Sequence, residues 1–187
     1  MSKAIWKPGT MVYPAPAVMV SCGDKPENYN IITIAWTGTI CSEPAMTYVS
    51  IRPSRYSHEI IKRTNEFCIN LTTKRLAFAT DFCGNRSGRN LNKFDKMHLT
   101  PIKGKNIKAP LIKESPINIE CRVKEVKPLG THDMFIAEVF CIHADKEYMT
   151  KDGGFDLRKT DPICYSHGNY YSLGKYLGHY GFAVKKK

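Results

Sequence analysis

The sequence predicts a mainly β protein, an antiparallel barrel of Greek-key type with a few short helices. Short β-branched or apolar runs recur along the chain, separated by clusters of Gly, Pro, Asp and Asn, which is typical of strands joined by turns. Residues 117–124 alternate apolar and polar side chains with the period of two expected of a strand with one solvated face. A barrel also removes exposed sheet edges and leaves a groove at its rim.

The first third of the chain contains three predicted strands and one predicted helix. The strands are residues 17–22, 31–37 and 46–51. Pro53 ends the third strand because proline has no amide hydrogen for a sheet ladder. Ser57 is a predicted N-cap for a helix over residues 59–64, whose first residue is an acid favoured by the helix dipole.

The rest of the chain predicts more strands, a second helix and a long loop. Residues 67–71 favour a strand, and Thr73 is a predicted N-cap of a short helix ending near residue 83. Residues 84–104 are polar, basic and glycine-bearing, and a loop of that length is usually functional. Residues 134–142 predict a strand covered on both faces or paired near a subunit boundary. The last twenty residues predict irregular or weakly helical structure.

Length and composition indicate one globular domain over residues 1–187. The chain is 42% hydrophobic and 24% charged, which is ordinary for a globular protein. No apolar run has the length of a signal peptide core or a membrane span, so we expect a cytoplasmic protein. Seven cysteines without a C-x-x-C pair argue against a disulfide framework and a zinc ribbon, and the spacing of the histidines suggests no metal site.

The formal net charge of +11 suggests an anionic ligand or partner. Clustered Lys and Arg bind nucleic-acid phosphates, but here the basic residues are scattered and the tightest run is residues 185–187. A diffuse positive field attracts phosphate-bearing cofactors equally well. Charge alone therefore leaves both a nucleic acid and a small phosphorylated ligand open.

Residues 30–38 begin as a predicted strand and end in small and hydrogen-bonding residues around Trp36. A flavin ring requires such a strand end, because backbone N–H and C=O groups meet its polar edge while bulky side chains exclude water. The alternative is that Trp36 simply fills the core.

Residues 50–57 end a strand in two arginines and several hydroxyl side chains just before a predicted helix. A helix N-terminus presents free N–H groups, and an arginine adds charge-assisted hydrogen bonds, so the pattern suits a phosphate. The alternative is a helix cap beside solvated basic side chains. Residues 86–94 repeat the theme with three cations, a serine and a glycine, although a solvated basic loop explains them too.

Five short motifs follow one another between residues 30 and 139. They consist of Asn30, Thr33, Ala35 and Trp36; Pro44, Ser50, Ile51, Pro53, Arg55 and Ser57; Phe67, Ile69 and Asn70; Ser87, Gly88, Arg89, Lys93 and Phe94; and Gly130, His132, Ala137, Glu138 and Val139. In this order they resemble the flavin reductase-like FMN-binding proteins, particularly the flavoredoxin-like branch. The resemblance spans roughly residues 10–175.

The resemblance implies an FMN-binding split barrel that forms a homodimer, with FMN in a groove at or near the dimer interface. The ring is expected along residues 35–37 and 50–52, and the phosphate near Arg52, Ser57 and Lys93. The full set of implied cofactor-binding residues is Asn30, Thr33, Ala35, Trp36, Thr37, Ser50, Ile51, Arg52, Ser57, Cys83, Gly84, Lys93 and Phe94.

His132 is the candidate catalytic residue. It could orient a nicotinamide or hydrogen-bond the flavin edge, or it could be an ordinary surface histidine at a strand entrance. The family that the chain resembles commonly has Asp where this chain has Thr131. This difference leaves it undecided whether the chain has an intact nicotinamide pocket. Cys83 near the flavin could be redox-active or a small buried apolar residue.

The leading functional hypothesis is an oxidoreductase or electron-transfer flavoprotein. NADH or NADPH is a possible donor, and the acceptor is a protein, a free flavin or ferric iron; a redox protein is a possible partner on either side. Two alternatives stay open, a basic nucleic-acid-binding β-barrel and an FMN-binding module without turnover. Of the partner classes, a membrane is not expected and a nucleic acid is disfavoured.

Overall fold

The computed structural model describes residues 2–184, so the lysine run 185–187 lies outside the described part. The strands are β1 (Ala15–Pro16), β2 (Val18–Cys22), β3 (Asn30–Ile34), β4 (Thr37–Cys41), β5 (Met46–Ile51), β6 (Glu66–Asn70), β7 (Pro101–Ile102), β8 (Leu111–Ile112), β9 (Ile117–Pro128), β10 (Asp133–Ala144), β11 (Ile163–Ser166) and β12 (Asn169–Ser172). The α-helices are α1 (Tyr56–Thr64), α2 (Ala77–Asn85) and α3 (Lys93–Lys96). Single 3₁₀ turns lie at Pro26–Asn28, Lys74–Leu76, Lys146–Tyr148, Leu157–Thr160 and Phe182–Val184.

Seven strands form one curled antiparallel sheet in the order β3-β2-β6-β9-β10-β5-β4. Its centre is the long hairpin of β9 and β10, which pair from Ile117 opposite Ala144 to Pro128 opposite Asp133. Strands β1, β11 and β12 form a second sheet, and β7 and β8 a third. The prediction of a mainly β, antiparallel fold with a few short helices is confirmed.

The core of the half-barrel lies between the concave side of this sheet and helix α1. Phe67 and Phe135 are its largest fully buried side chains, and Ile60 and Ile61 of α1 pack against the same cluster. A second cluster on the other side of β2 and β3 joins them to α2 and α3. All five residues of β2 are buried, which explains its mostly apolar sequence, and the one polar residue, Ser21, donates its hydroxyl to the Pro110 carbonyl.

A buried polar network around Asn70 holds β8 against the main sheet. The Asn70 side chain is fully buried and donates to the carbonyl of Met19 at 2.9 Å, while its oxygen accepts from the amide of Ile112 at 3.0 Å and from the Asn118 side chain at 2.8 Å. These bonds connect β6 to β2, β8 and β9. They also give each of these buried polar groups a partner, as buried polar groups require.

The structure corrects several sequence-based expectations. The strand expected over 31–37 ends at Ile34, and β4 begins at Thr37 after a bend. Helix α1 begins at Tyr56 with Arg55 as N-cap, so Ser57 lies inside the first turn. The loop expected over 84–104 contains α3 and β7. Of the two alternatives for residues 134–142, coverage on both faces does not hold within this chain, since Ile142 is 58% exposed, and pairing near a subunit boundary stays a prediction.

Strands β11 and β12 pair in a hairpin that the sequence did not predict. Beyond β12, residues 173–179 are irregular, as expected. None of the helices in residues 2–184 has the length and apolar character needed to cross a membrane.

Candidate cofactor site

A cleft of about 480 Å³, here called the main cleft, lies where the ends of β3 and β5 approach helix α2. Volumes of this size are typical of small-ligand sites. One wall is the strand ends 32–36 and 50–52, and the other is formed by α2 and the β11–β12 hairpin. Tyr165, Gly168 and Tyr170 of the hairpin and Asp81 of α2 complete it.

Hydrogen bonds hold the two strand ends together. The Ser50 amide donates to the Trp36 carbonyl at 2.9 Å, and the Thr37 hydroxyl donates to the Tyr48 carbonyl at 2.5 Å. The Thr33 hydroxyl donates to the Thr80 carbonyl and ties β3 to α2. The bend at residues 35–36, between β3 and β4, is therefore held in place where it lines the cleft.

A second cavity of about 380 Å³, here called the cationic pocket, lies next to the main cleft. The two share Ile32, Arg52, Arg55 and Gly84, so they lie side by side. The pocket is lined by four cations, Arg52, Arg55, Arg86 and Lys93, and its described lining contains no carboxylate. A cavity with this charge suits a dianionic group.

Lys93 is the buried cation of the pocket, at 3% exposure. Its ammonium donates to the carbonyls of Ile31 at 2.6 Å and Cys83 at 2.8 Å. Burial lowers the pKa of Lys93 to about 8, although the nearby Cys83 and Cys22 thiols act in the opposite direction. An ammonium has three N–H donors, so one remains for a ligand in the pocket.

The first turn of α1 lies on the rim of the same pocket. Ser54, Tyr56 and Ser57 line it together with the N-cap residue Arg55, so the free amides of the helix start lie beside the cations. The Ser57 side chain is buried, and its oxygen accepts from the Asn30 amide group at 2.8 Å. These two residues fix helix α1 against β3.

Two glycines allow the walls of the pocket to come together. A Cβ at Gly88 would overlap the Asn30 side chain, and a Cβ at Gly84 would lie 3.2 Å from that of Thr33. Any larger residue at position 88 would displace the segment that carries Arg86 and Lys93.

His132 lies between the main cleft and a third, more apolar cavity of about 510 Å³ beside the N-terminal segment. Burial and the positive charge of Arg52 lower the pKa of His132, so the neutral imidazole prevails at neutral pH. Its Nδ1 lies 2.9 Å from the Thr131 hydroxyl. Next to it, Asp133 lies 2.8 Å from His58 of α1, which anchors the start of β10.

The structure brings most of the sequence-predicted site residues together. Those lining the main cleft or the cationic pocket are Asn30, Thr33, Ala35, Trp36, Ser50, Ile51, Arg52, Ser57, Cys83, Gly84, Lys93 and His132. Thr37 lines only the third cavity. Phe94 lies in the second core cluster, because α3 turns it towards Leu76 and Leu99 instead of the pocket.

Sequence reasoning missed the hairpin side of the cleft. Tyr165 and Tyr170 are brought there by the turn at His167 and Gly168, both of which have positive φ. Burial and the neighbouring Asp81 carboxylate raise the pKa of Tyr170 to about 12, so it stays a neutral phenol. The sequence feature that could have indicated this wall of the cleft is a tyrosine on each side of a glycine-containing turn.

These residues fit a flat polar group that ends in a phosphate. The main cleft offers fixed backbone groups and the indole of Trp36, and the cationic pocket offers four cations and a helix N-terminus. The cations of the site are grouped in the cationic pocket, next to the main cleft, and one such group suits one phosphate.

Comparison with known proteins supports the same assignment. The family model "Flavin reductase like domain" matches residues 10–174. The chain is similar to flavoredoxin of Desulfovibrio vulgaris (Miyazaki F), with TM-score 0.91 and 30% identity, covering 99% of this chain and 100% of that one. Flavoredoxin from Methanosarcina acetivorans gives TM-score 0.88 and 25% identity, with coverage of 99% and 100%. An FMN-binding protein from Thermus thermophilus, with TM-score 0.79, 20% identity and coverage of 96% and 99%, shares the fold.

Proposed function

This chain belongs to the family of flavin reductase-like domains, with the split-barrel fold of its structural relatives, and on that premise we propose that it binds FMN non-covalently and acts in electron transfer. The observation that carries the proposal is the cationic pocket at the end of the main cleft. Family membership also favours a flavoprotein over the nucleic-acid-binding barrel.

The phosphate of FMN would lie in the cationic pocket, and its ring along residues 35–36 and 50–52. Arg52 lines both cavities and would contact the phosphate on the side of the ring. Lys93 would donate its third N–H to the phosphate, since its other two already bind backbone carbonyls. The indole of Trp36 and the Ile51 side chain would keep water from the ring.

Bound FMN supplies an acceptor of hydride or single electrons at its N5 atom. The protein positions and shields it. His132, held neutral at neutral pH beside Arg52, can hydrogen-bond a ring edge or an incoming nicotinamide without adding charge to the cleft. Electrons would come from NADH, NADPH or a redox protein and leave to a protein, a free flavin or ferric iron.

The test is the visible spectrum of the purified protein. We expect a flavin spectrum, or one that develops on adding FMN and survives gel filtration. Anaerobic NADH or NADPH should bleach it if the protein is a reductase, whereas reduction only by dithionite or a protein donor would indicate a carrier. A reduced flavin that passes electrons to none of the named acceptors would indicate binding without turnover. A protein that stays colourless with added FMN contradicts the proposal.

FMN affinity should fall at alkaline pH because of Lys93. Its pKa in the ligand-free protein is about 8, so its positive charge is present below pH 8 and is lost above it. The FMN phosphate is already dianionic in this range. We therefore expect the affinity to fall by up to about tenfold per pH unit above 8.

The measurement is the quenching of FMN fluorescence between pH 7 and 9.5. Lys93→Met is the control, since it removes the titrating group, and its FMN affinity should stay nearly constant over the same range. An equal decline in both proteins would show that Lys93 is not the group responsible.

We also propose a homodimer in the cytoplasm. Both ends of the described chain carry apolar side chains left open to solvent in this protomer, including Trp6 at 72%, Val12 at 93% and Leu177 at 90% exposure. A second copy would cover them. All seven cysteines are free, as a reducing compartment requires. Light scattering that returns the mass of one chain would exclude the dimer.

A further inference from the structure

Three potential metal ligands converge on the β9–β10 hairpin, outside the candidate cofactor site. A carboxylate oxygen of Glu120, the sulfur of Cys141 and a ring nitrogen of His143 all lie within 4.8 Å of one another. The His143 Nε2 is 2.6 Å from Glu120 Oε1. Among the described residues, these three form a group of His, Cys and Glu side chains whose ligand atoms lie close enough together to hold one metal ion.

Strand register explains the convergence. Cys141 is the direct partner of Glu120 on the neighbouring strand, so both side chains lie on the same face. His143 follows Cys141 by two residues and therefore lies on that face too. Sequence spacing among histidines could not reveal the group, because its members come from two strands.

The carboxylate of Glu120 is already held in place as a metal ligand would be. Its side chain is fully buried, and its oxygens accept from the backbone amides of Lys105 at 2.5 Å and Asn106 at 2.7 Å. A carboxylate has about four acceptor positions, so these two bonds leave room for a metal ion in the position that the His143 ring now contacts. Fixed hydrogen bonds of this kind orient ligands in metal sites.

The other two ligands are accessible from solvent. The His143 side chain is 34% exposed, so its ring can withdraw from the 2.6 Å contact to admit an ion. The Cys141 sulfur is half-buried, and its hydrogen-bond contact is a weak one with the Ile142 carbonyl at 3.9 Å. An ion can therefore enter from solvent on this side of the hairpin.

We propose that Glu120, Cys141 and His143 bind one divalent ion of the zinc class. Carboxylate, thiolate and imidazole together favour Zn²⁺ over Mg²⁺ or Ca²⁺, which prefer oxygen ligands. On binding, the Cys141 thiol loses its proton to solvent and forms a sulfur–metal bond. The Nε2 proton of His143 moves to Nδ1 through solvent, and Nε2 takes the metal in place of its hydrogen bond to Glu120. Three protein ligands leave a fourth position for water.

The alternative is that Glu120 and His143 form only a structural pair that anchors residues 105–106. That pair needs no sulfur, so Cys141 distinguishes the two. The distinguishing signal is a metal–thiolate bond, which can be seen directly when Co²⁺ is the probe.

The experiment is an anaerobic titration of the purified full chain with Co²⁺ after chelator treatment, recorded as difference spectra with unchanged flavin content. We expect a thiolate-to-cobalt charge-transfer band and intense d–d bands in the red, saturating at one ion per chain and abolished by Zn²⁺. The Cys141→Ser variant should lose the charge-transfer band and bind Co²⁺ at least about tenfold more weakly. His143→Ala should also weaken binding, while its residual complex retains the sulfur band.

The matched control is Cys41→Ser, which removes another half-buried cysteine from β4, outside the group. It should titrate like the original protein, and thermal melts of each variant check that the fold persists. The proposal is overturned if the unmodified chain gives no sulfur band, or if Cys141→Ser keeps it. Since the readout needs no flavin turnover, it is independent of the proposed function.

Discussion

Replacing Arg52 by alanine is expected to weaken FMN binding by about 1.5–3 kcal/mol, the range for hydrogen bonds to charged groups. This corresponds to a loss of roughly ten- to 150-fold in affinity. Arg52 is singled out because it lines both the main cleft and the cationic pocket, where the phosphate and the ring are proposed to meet. Fluorescence titration of the flavin-free protein with FMN measures the effect.

The matched control is Lys62→Ala, since Lys62 is exposed in the last turn of α1, away from the pocket. It removes the same charge, so any loss it shares with Arg52→Ala reflects the overall field. Arg52→Ala should also raise the pKa of His132 in an NMR titration, because the positive charge that helps to lower it is gone. Equal FMN affinities in the two variants would place the phosphate elsewhere.

Replacing Asn70 by alanine should destabilise the fold by about 3–5 kcal/mol. The side chain of Asn70 satisfies several buried partners at once, among them the Ile112 amide and the Asn118 side chain. Each buried group left without a partner costs about 1–3 kcal/mol. Urea unfolding of the flavin-free protein measures the loss.

Asn85→Ala provides the comparison, since Asn85 at the end of α2 bonds only locally to Asp81. Its stability should change by no more than about 0.5 kcal/mol, as expected of a surface substitution. A loss below about 1 kcal/mol for Asn70→Ala would show that water or rearranged partners replace the network.

The strands could be predicted where local pattern and tertiary environment agree. β5 has the predicted limits, because its β-branched residues Thr47, Val49 and Ile51 all lie on the buried face and the chain turns just after it, at Pro53. The bend between Ile34 and Thr37 was missed because β-branched and aromatic residues continue across it. Ser57 looked like a cap, but the helix starts earlier and its hydroxyl bonds to Asn30.

The cationic side chains of the pocket were predicted only in part. Arg52 and Lys93 follow from motifs, yet the burial of Lys93 depends on α3 packing against β3 and α2, which no local pattern encodes. For the same reason Phe94, its neighbour, was expected at the cofactor and lies in the core. The group at Glu120 depends on pairing between two strands, which spacing along one segment cannot show.

The buried ammonium of Lys93 connects cofactor loading to the lifetime of the protein. Its pKa of about 8 lies below that of an exposed lysine, so at neutral pH the charge opposes folding of the empty chain, and this penalty disappears as the pH rises above 8. Under the proposed function the phosphate of FMN would be its counterion and would stabilise the native state by mass action. A cell short of flavin would then hold a population of empty chains that open more often, and its proteases would remove those chains first.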